Sequence, residues 1–419
     1  MKSGRFAGRL LVAGGLLIAM PMSVVGMSVA ETAPNTLPQA LDIQREDPEA
    51  RLLRTLLLLE SEGMDAATGE AASLVRDYPH FRLARLVHAD LLLARTGRLR
   101  DIGAPGLLRE EGREQALLGL VDEARQRVRA HLDTAYRDQL PLELLQLGPE
   151  TQRAVLVEKA RNRLYVFERG ERDRPRLLRD YYISYGRAEG DKRERGDLRT
   201  PEGVYFVRSH IPDAELAEKY GRGAYPIDYP NPLDRKLGKT GYGIWLHGVE
   251  RETYSRSPLA SEGCIVLANP DLLALGEWLK PGRTPVVVAE RLRWVDADVW
   301  RNERDRALAV VRAWESDWES LDLKRYLAHY ARDFWAEDHD LRSWSRRKAR
   351  VFARKTFQHV EIGDLTILRY PDNAGDGRDL LVASFDQGFR SNNYDSAGRK
   401  RIFWVREDGA WRVLFEEGG

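Results

Sequence analysis

Apolar residues between about 46 and 148 recur at steps of three and four, the period of an amphipathic helix. Leu52, Leu56 and Leu59 share one face, and Leu117, Val121, Ala124, Val128 and Leu132 share another. Gly97 closes the run "FRLARLVHADLLLARTG", where a helix C-terminus is expected. Near residue 151 the period changes. "AVLVEKARNRLYVFER" reads as two short strands joined at the polar turn Lys159–Asn162, and "GVYFV" (203–207), "GIWLHGV" (243–249) and "TPVVV" (284–288) continue the strand pattern. Long polar loops at 186–203 and 221–243 separate them, and loops of that length in a compact domain carry function. "NPDLLALGEWLK" predicts one helix, with Asn269 as N-cap, Pro270 at the first helical position and Pro281-Gly282 after its end. Beyond 302 the pattern turns helical again. Trp314 and Trp318 lie one turn apart, and a second helical stretch runs through Tyr326 and Tyr330. Strands follow at 360–369, 379–387 and 400–406, with a hairpin at Asp408-Gly409.

These shifts divide 419 residues into a multidomain chain: 1–30, 31–148 (helical), 150–291 (mainly β) and 302–419 (α+β). A formal charge of +1 with mixed signs selects neither nucleic acid nor an anionic membrane. Lys2, Arg5 and Arg9 precede an apolar run from Leu10 to Met20, and Ser28-Val29-Ala30 offers a small-residue cleavage site. Residues 1–30 therefore read as an export signal, with Pro21 and three glycines favouring cleavage over an uncleaved anchor. Export places the protein in the periplasm. The helical run at 81–97 faintly resembles a tetratricopeptide-type pair, without three registered copies. Leucines 56–59 read as core.

Cys264 is the only cysteine, so no internal disulfide is available. A free cysteine is most often a small buried hydrophobe, and a strand-end histidine is often only a satisfied polar group. Here the two occur in a suggestive order. His247-Gly248 ends the apolar run "GIWL", and a polar loop leads to Ser261-Glu262-Gly263-Cys264, followed by the strand "IVLA". Two strand ends at one sheet edge would bring imidazole and thiol together, and a thiol becomes a nucleophile when an imidazole takes its proton. The glycine before the thiol allows close backbone approach, and main-chain N–H groups there would hold an oxyanion. No cluster at metal-ligand spacing occurs in the central region, and no cofactor is expected.

These residues resemble the YkuD-type L,D-transpeptidase family, whose signature is His-Gly followed by [ST]-H-G-C. "ISYGRAEGDKRERGDLRTPEGVYFV" resembles that family's lead into its T-P-x-G segment, here Thr200-Pro201-Glu202-Gly203, and "YPNPLDRKLGKTGYGIWLHG" resembles its run into the catalytic histidine. The resemblance spans roughly 150–290. It implies Cys264 as nucleophile, His247 as general base and acid, and Ser261, Gly263 and Gly248 in support. The substrate it implies is a peptidoglycan stem peptide, cleaved between an L-configured centre and D-alanine. Two positions depart from the family pattern: Glu262 replaces the common second histidine, and Val266 replaces an arginine. Both positions are expected to line the acyl site, so the acyl acceptor stays open between an amine and water, as in a peptidoglycan amidohydrolase or peptidase with the same dyad. A non-catalytic envelope scaffold is a third reading. Residues 302–419 resemble the NTF2-like α+β cone of Cds6-type proteins through "VVRAWESDWESLDLKRYLAHYARDFW" and "LRSWSRRKARVF". Its tryptophans read as core and pocket wall, and with the helical region it is expected to bind or position envelope partners.

Overall fold

A computed structural model describes residues 47–96, 111–133, 136–371 and 375–418. The expected export signal, the lead-in to residue 45 and Gly97 lie outside the described residues. Two compact units form: Met1–His131 with Glu252–Ser257, and Leu132–Arg251 with Pro258–Gly419.

The first unit is helical, with helices at Pro48–Ser61, Met64–Asp77, Arg82–Arg95 and Glu111–Leu132. Asp47 caps the first by accepting from the Ala50 amide, with Pro48 at the start where its missing N–H costs nothing. Arg51 joins the first helix to the second through Glu70 (3.0 Å), Asp77 (2.6 Å) and Ser73 (3.0 Å). The last helix turns an unexpected face inward. Leu132 is 71% exposed, whereas Glu123 and Arg127 are buried beside Leu117 and Ala130. Apolar spacing misled because Arg127 is neutralised by Glu123 (2.9 Å) and Glu49 (3.0 Å), which makes a charged stripe tolerable inside. Ser255 completes this cluster by donating to Glu123 (2.5 Å), and Tyr254 packs on Phe81 with ring centroids 4.4 Å apart. A piece of the sequence between His247 and Cys264 thus folds with the helices.

The second unit contains the central and C-terminal regions. A five-stranded sheet has the order Pro175–Tyr182, Arg163–Arg169, Arg153–Glu158, Pro285–Ala289, Gly203–Phe206. A four-stranded sheet has the order Ile265–Leu267, Trp245–Gly248, Gly223–Pro226, Ile211–Pro212. Val155, Val157, Leu164, Leu246, Ile265 and Leu272 are among the side chains that share one core, which brings the two sheets and the helix Asn269–Gly276 together. The expected turn at Lys159–Asn162 is present, with Asn162 in the left-handed region at φ 52°.

The C-terminal region is a seven-stranded sheet against the helices Ala297–Glu319 and Leu341–Phe352. Trp300, Trp314 and Trp318 are core residues beneath it. The hairpin at Asp408-Gly409 is confirmed, with Glu407 paired to Ala410 and both turn residues at positive φ. Tyr330, expected in a helix, instead opens the strand Tyr330–Ala336, because the helix stops at Leu327 and Tyr330 pairs with Val413 of the last strand. Residues 140–146, expected within the helical region, form two short strands, Leu140–Pro141 and Leu144–Gln146, joined by a turn. Leu144–Gln146 forms the outer strand of the C-terminal sheet by pairing with Gln358–Arg369.

The other face of that sheet packs directly on the central region. Leu156, Phe167, Phe206 and Val287 share a core with Leu368, Val382, Phe403 and Leu414. Asp364, 2% exposed at its side chain, locks the seam. It accepts from the amides of Glu150 and Thr151 (both 2.8 Å), the Thr151 hydroxyl (2.9 Å), Arg283 (2.6 Å) and Arg399 (2.9 Å), and these donors hold its pKa below the ordinary carboxylate range against the opposing effect of burial. Asp364→Ala should cost about 3 kcal/mol by leaving the amides of Glu150 and Thr151 without their acceptor, although Arg283 and Arg399 keep Asp386 as a partner, and urea unfolding should keep the central and C-terminal tryptophan signals on one shared transition. Two separated transitions in the wild type would refute the shared core.

Candidate active site

The histidine strand, Trp245–Gly248, lies between Gly223–Pro226 and the cysteine strand, Ile265–Leu267, with which it pairs in parallel. The register sets Leu246 opposite Ile265 and His247 opposite Val266. Side chains alternate along a strand. Leu246 and Ile265 both enter the core, so His247 and Cys264, each one residue away, emerge on the other face.

His247 is buried, and its Nδ1 lies 2.6 Å from the carbonyl oxygen of Gly248. A carbonyl only accepts, so Nδ1 carries the proton and the lone pair of the neutral ring sits on Nε2. Tyr220 stands edge-on to this imidazole at 5.1 Å and also packs on Trp245. The Cys264 thiol points to the Gly243 carbonyl at 3.4 Å. Burial pushes its pKa up to about 11, outweighing the Trp245 amide that favours the thiolate, and the Glu262 charge adds to the rise. The thiol therefore rests protonated at neutral pH.

The loop before the thiol is tightly held. Gly263 has φ +128°, and a Cβ there would sit 2.7 Å from the Arg199 carbonyl oxygen, so glycine is required. Ser261 Oγ donates to the Cys264 carbonyl (2.6 Å) and accepts from the Gly263 amide (3.1 Å). The loop at 186–203 forms a second support. Thr200 Oγ1 accepts from the Gly186 amide and donates to the Gly263 carbonyl, both at 2.9 Å. Asp197 organises that loop despite its partial burial, accepting from Lys192 (2.6 Å) and from the amides of Arg193, Glu194 and Arg199, which bring its pKa down to about 2.

Among the expected site residues, His247, Gly248, Ser261, Gly263 and Cys264 come together. The Gly263 amide, expected as a donor to an oxyanion, is already committed to Ser261. Glu262 is 74% exposed and paired with Arg187 at 3.1 Å. Val266 is 2% exposed, bonded through its backbone on both sides to Ser184, and presents no surface to a substrate. Asn269 is not the cap of its helix. Ala268 occupies that place without a side-chain bond, and the Asn269 amide turns back toward Arg222 and Val249. Asn269, Thr200 and Tyr220 had no site role in the sequence reading. Thr200 alone lay in a recognisable motif.

Residues 152–288 match the family model of the L,D-transpeptidase catalytic domain, YkuD, and residues 306–417 match the Cds6 C-terminal NTF2-like domain. The chain carries a YkuD-type catalytic domain followed by a Cds6-type NTF2-like domain. Among solved structures it is similar to Bd1075 of Bdellovibrio bacteriovorus, at 26% identity and TM-score 0.59, over 67% of this chain and 98% of that one. It is also similar to the helical cell shape determining protein Pgp2 of Campylobacter jejuni, at 26% identity and TM-score 0.54, over 66% and 95% of the two chains. No curated protein matches. Among the described residues, no helix is long and apolar enough to cross a membrane and no group of side chains is arranged to hold a metal ion.

Two measurements probe this YkuD-type site. In His247→Ala, iodoacetamide alkylation of Cys264 should rise about tenfold per pH unit from 7 to 10, and a plateau near pH 8.5 would show a thiol that burial does not perturb. Thr200→Val keeps the shape and loses both loop bonds, so Cys264 alkylation in the otherwise unchanged protein should speed up as the loosened loop admits solvent to the thiol. An unaltered rate would remove Thr200 from the support of the loop.

Proposed function

We propose that the protein is a periplasmic L,D-transpeptidase that cleaves peptidoglycan stem peptides through a Cys264 acyl-thioester and passes the acyl group to an amine. The observation that carries this reading is the parallel register that sets His247 beside Val266, two residues after Cys264, on adjacent strands. The YkuD match supports peptidoglycan as the substrate, and the export-type sequence at 1–30 supports action outside the cytoplasm.

The chemistry follows from the groups present. His247 Nε2 takes the Cys264 proton as the sulfur attacks the carbonyl carbon between the L-centre and D-alanine. The oxyanion lies against the Cys264 amide. The imidazolium then gives its proton to the departing D-alanine nitrogen, and the C–N bond breaks to leave a thioester. An incoming amine attacks that thioester, His247 takes a proton from it, and the thiolate leaves and is reprotonated. The Gly248 carbonyl holds Nδ1–H throughout, which keeps Nε2 as the working atom.

A second reading ends the same first step with water. The family pattern places a histidine and an arginine at 262 and 266. Here one position is a carboxylate tied to Arg187 and the other a buried valine, so the acceptor side lacks both groups that would hold a second stem. Water as acceptor would make the enzyme a trimming peptidase that shortens tetrapeptide stems to tripeptides. The likeness to a cell shape determining protein accords with either outcome, since both alter how stems are joined. The NTF2-like domain, fused to the catalytic core, would position the wall or an envelope partner relative to the thiol.

Purified protein incubated with disaccharide tetrapeptide separates the readings: cross-linked dimer is the product of transfer, and tripeptide alone is the product of hydrolysis. Cys264→Ala should abolish both products, and His247→Ala should cut the rate at least about a hundredfold. A folded wild-type protein that gains no Cys264 adduct on exposure to a carbapenem, and forms neither product, would leave the scaffold role.

A further inference from the structure

We infer that Asn269 is a positioning residue that fixes the imidazole of His247 through the main chain of Gly248; this rests on the His247–Cys264 reading above. Asn269 is the first residue of the helix that follows the cysteine strand, five positions beyond the nucleophile. Its side chain crosses to the end of the histidine strand. Nδ2 donates to the Val249 carbonyl at 2.9 Å, and Oδ1 accepts from the Arg222 amide at 3.0 Å. The Asn269 amide and the Val249 carbonyl are buried, so losing that bond would strand a buried polar group.

The packing around this amide explains two glycines. A Cβ on Gly248 would fall onto Asn269 Oδ1, well inside contact distance, and a Cβ on Gly221 would meet the same atom and the Val249 carbonyl. Gly221 has φ +70° and follows Tyr220, the ring that stands edge-on to His247. Gly248 lies outside the left-handed region, so its glycine is not demanded by backbone strain; it is demanded by the space the Asn269 amide fills. One side chain thus ties together three parts of the site: the Val249 peptide immediately beyond the Gly248 carbonyl that holds His247 Nδ1–H, the loop that carries Tyr220, and the helix extending from the nucleophile strand. Losing it would let the Gly248 carbonyl rotate, and with it the tautomer and aim of the imidazole.

The test uses the full chain and two readouts: the rate of Cys264 acylation by a carbapenem, and the His247 tautomer and titration followed by nitrogen-15 NMR. Asn269→Ala should slow acylation between about ten- and a hundredfold and reduce the population protonated at Nδ1. Asn269→Asp keeps the acceptor for Arg222 but adds a negative charge beside the Gly248 peptide. It should restore part of the rate and move the acid limb of the pH profile upward, because a nearby carboxylate favours the imidazolium. Gly248→Ala should be severely impaired alone, yet cost less than about twofold when added to Asn269→Ala, since the colliding atom is gone. Melting temperatures identify any variant that fails to fold, in which case Asn269→Asp carries the comparison. The inference is overturned if Asn269→Ala keeps the wild-type His247 titration and acylation rate, or if Gly248→Ala costs the same in both backgrounds. If the wild type itself is never acylated, the enzymatic reading fails, while the NMR titration still decides whether Asn269 controls the imidazole.

Discussion

The register between two short parallel strands governs the site. Leu246 opposite Ile265 places both side chains in the core, and the alternation of a pleated strand then delivers His247 and Cys264 to the opposite face. A slip of one residue would send the thiol into the core and an isoleucine to the site, at the cost of burying a polar sulfur and exposing an aliphatic chain. The surrounding residues resist that slip. Gly263 takes a backbone conformation that other residues avoid, Ser261 and Thr200 grip the peptides on either side of it, and Ser184 bonds Val266 in both directions. The catalytic loop is therefore an outcome of sheet registration, with each clamp drawing on a different part of the chain.

The same logic explains why the C-terminal domain cannot be regarded as a tethered accessory. One face of its sheet covers its own helices and tryptophans, and the other closes over the strands of the YkuD-type domain. The segment at 140–146 strengthens this union by lending an outer strand to the C-terminal sheet before the chain enters the central domain. Charge reinforces it at Asp364, where two arginines and two backbone amides converge on one carboxylate. A ligand held by the NTF2-like cone would accordingly be held at a fixed offset from the thiol, because the hydrophobic core between them has no layer of water in which to hinge.

Much of this was legible in sequence where local chemistry and tertiary demand agree. The hairpin at Asp408-Gly409 and the turn at Asn162 announce themselves through residue types that few other conformations favour, and the strand that ends in His247-Gly248 does lie beside the strand that follows Cys264. The failures share a cause. Apolar spacing placed Leu132 inside the helical unit, but a neutralised Glu123–Arg127 pair took that face. Tyr330 looked helical until its pairing with Val413 made it a strand. Asn269 before Pro270 reads as a helix cap, yet its amide found stronger claims in the Arg222 and Val249 backbone. Val266 occupies a position that resemblance assigns to substrate, and only the ladder to Ser184 reveals that it faces none. In each case the deciding partner lies far away in the sequence, where no local pattern can reach.

The lone thiol itself poses the remaining physical question, since the proposed site of action outside the cytoplasm would expose a cysteine without a disulfide partner to oxidants. Oxidation to sulfenic acid begins from the thiolate. Burial that lifts the Cys264 pKa to about 11 keeps the thiolate scarce at rest, and the neighbouring Glu262 charge works in the same direction. The energetic penalty that protects the sulfur also burdens catalysis, because the proton must be removed against it. In the proposed reaction a tautomerically fixed imidazole would resolve the conflict: His247 would accept that proton when a substrate carbonyl is in place to receive the electrons, so a free thiolate would never have to accumulate. The precision with which Gly248 and its neighbours hold Nδ1 is thus coupled to the desolvation of the thiol. In that proposed reaction a more solvated cysteine would tolerate a looser histidine, whereas this one would require a base whose lone pair is already aimed.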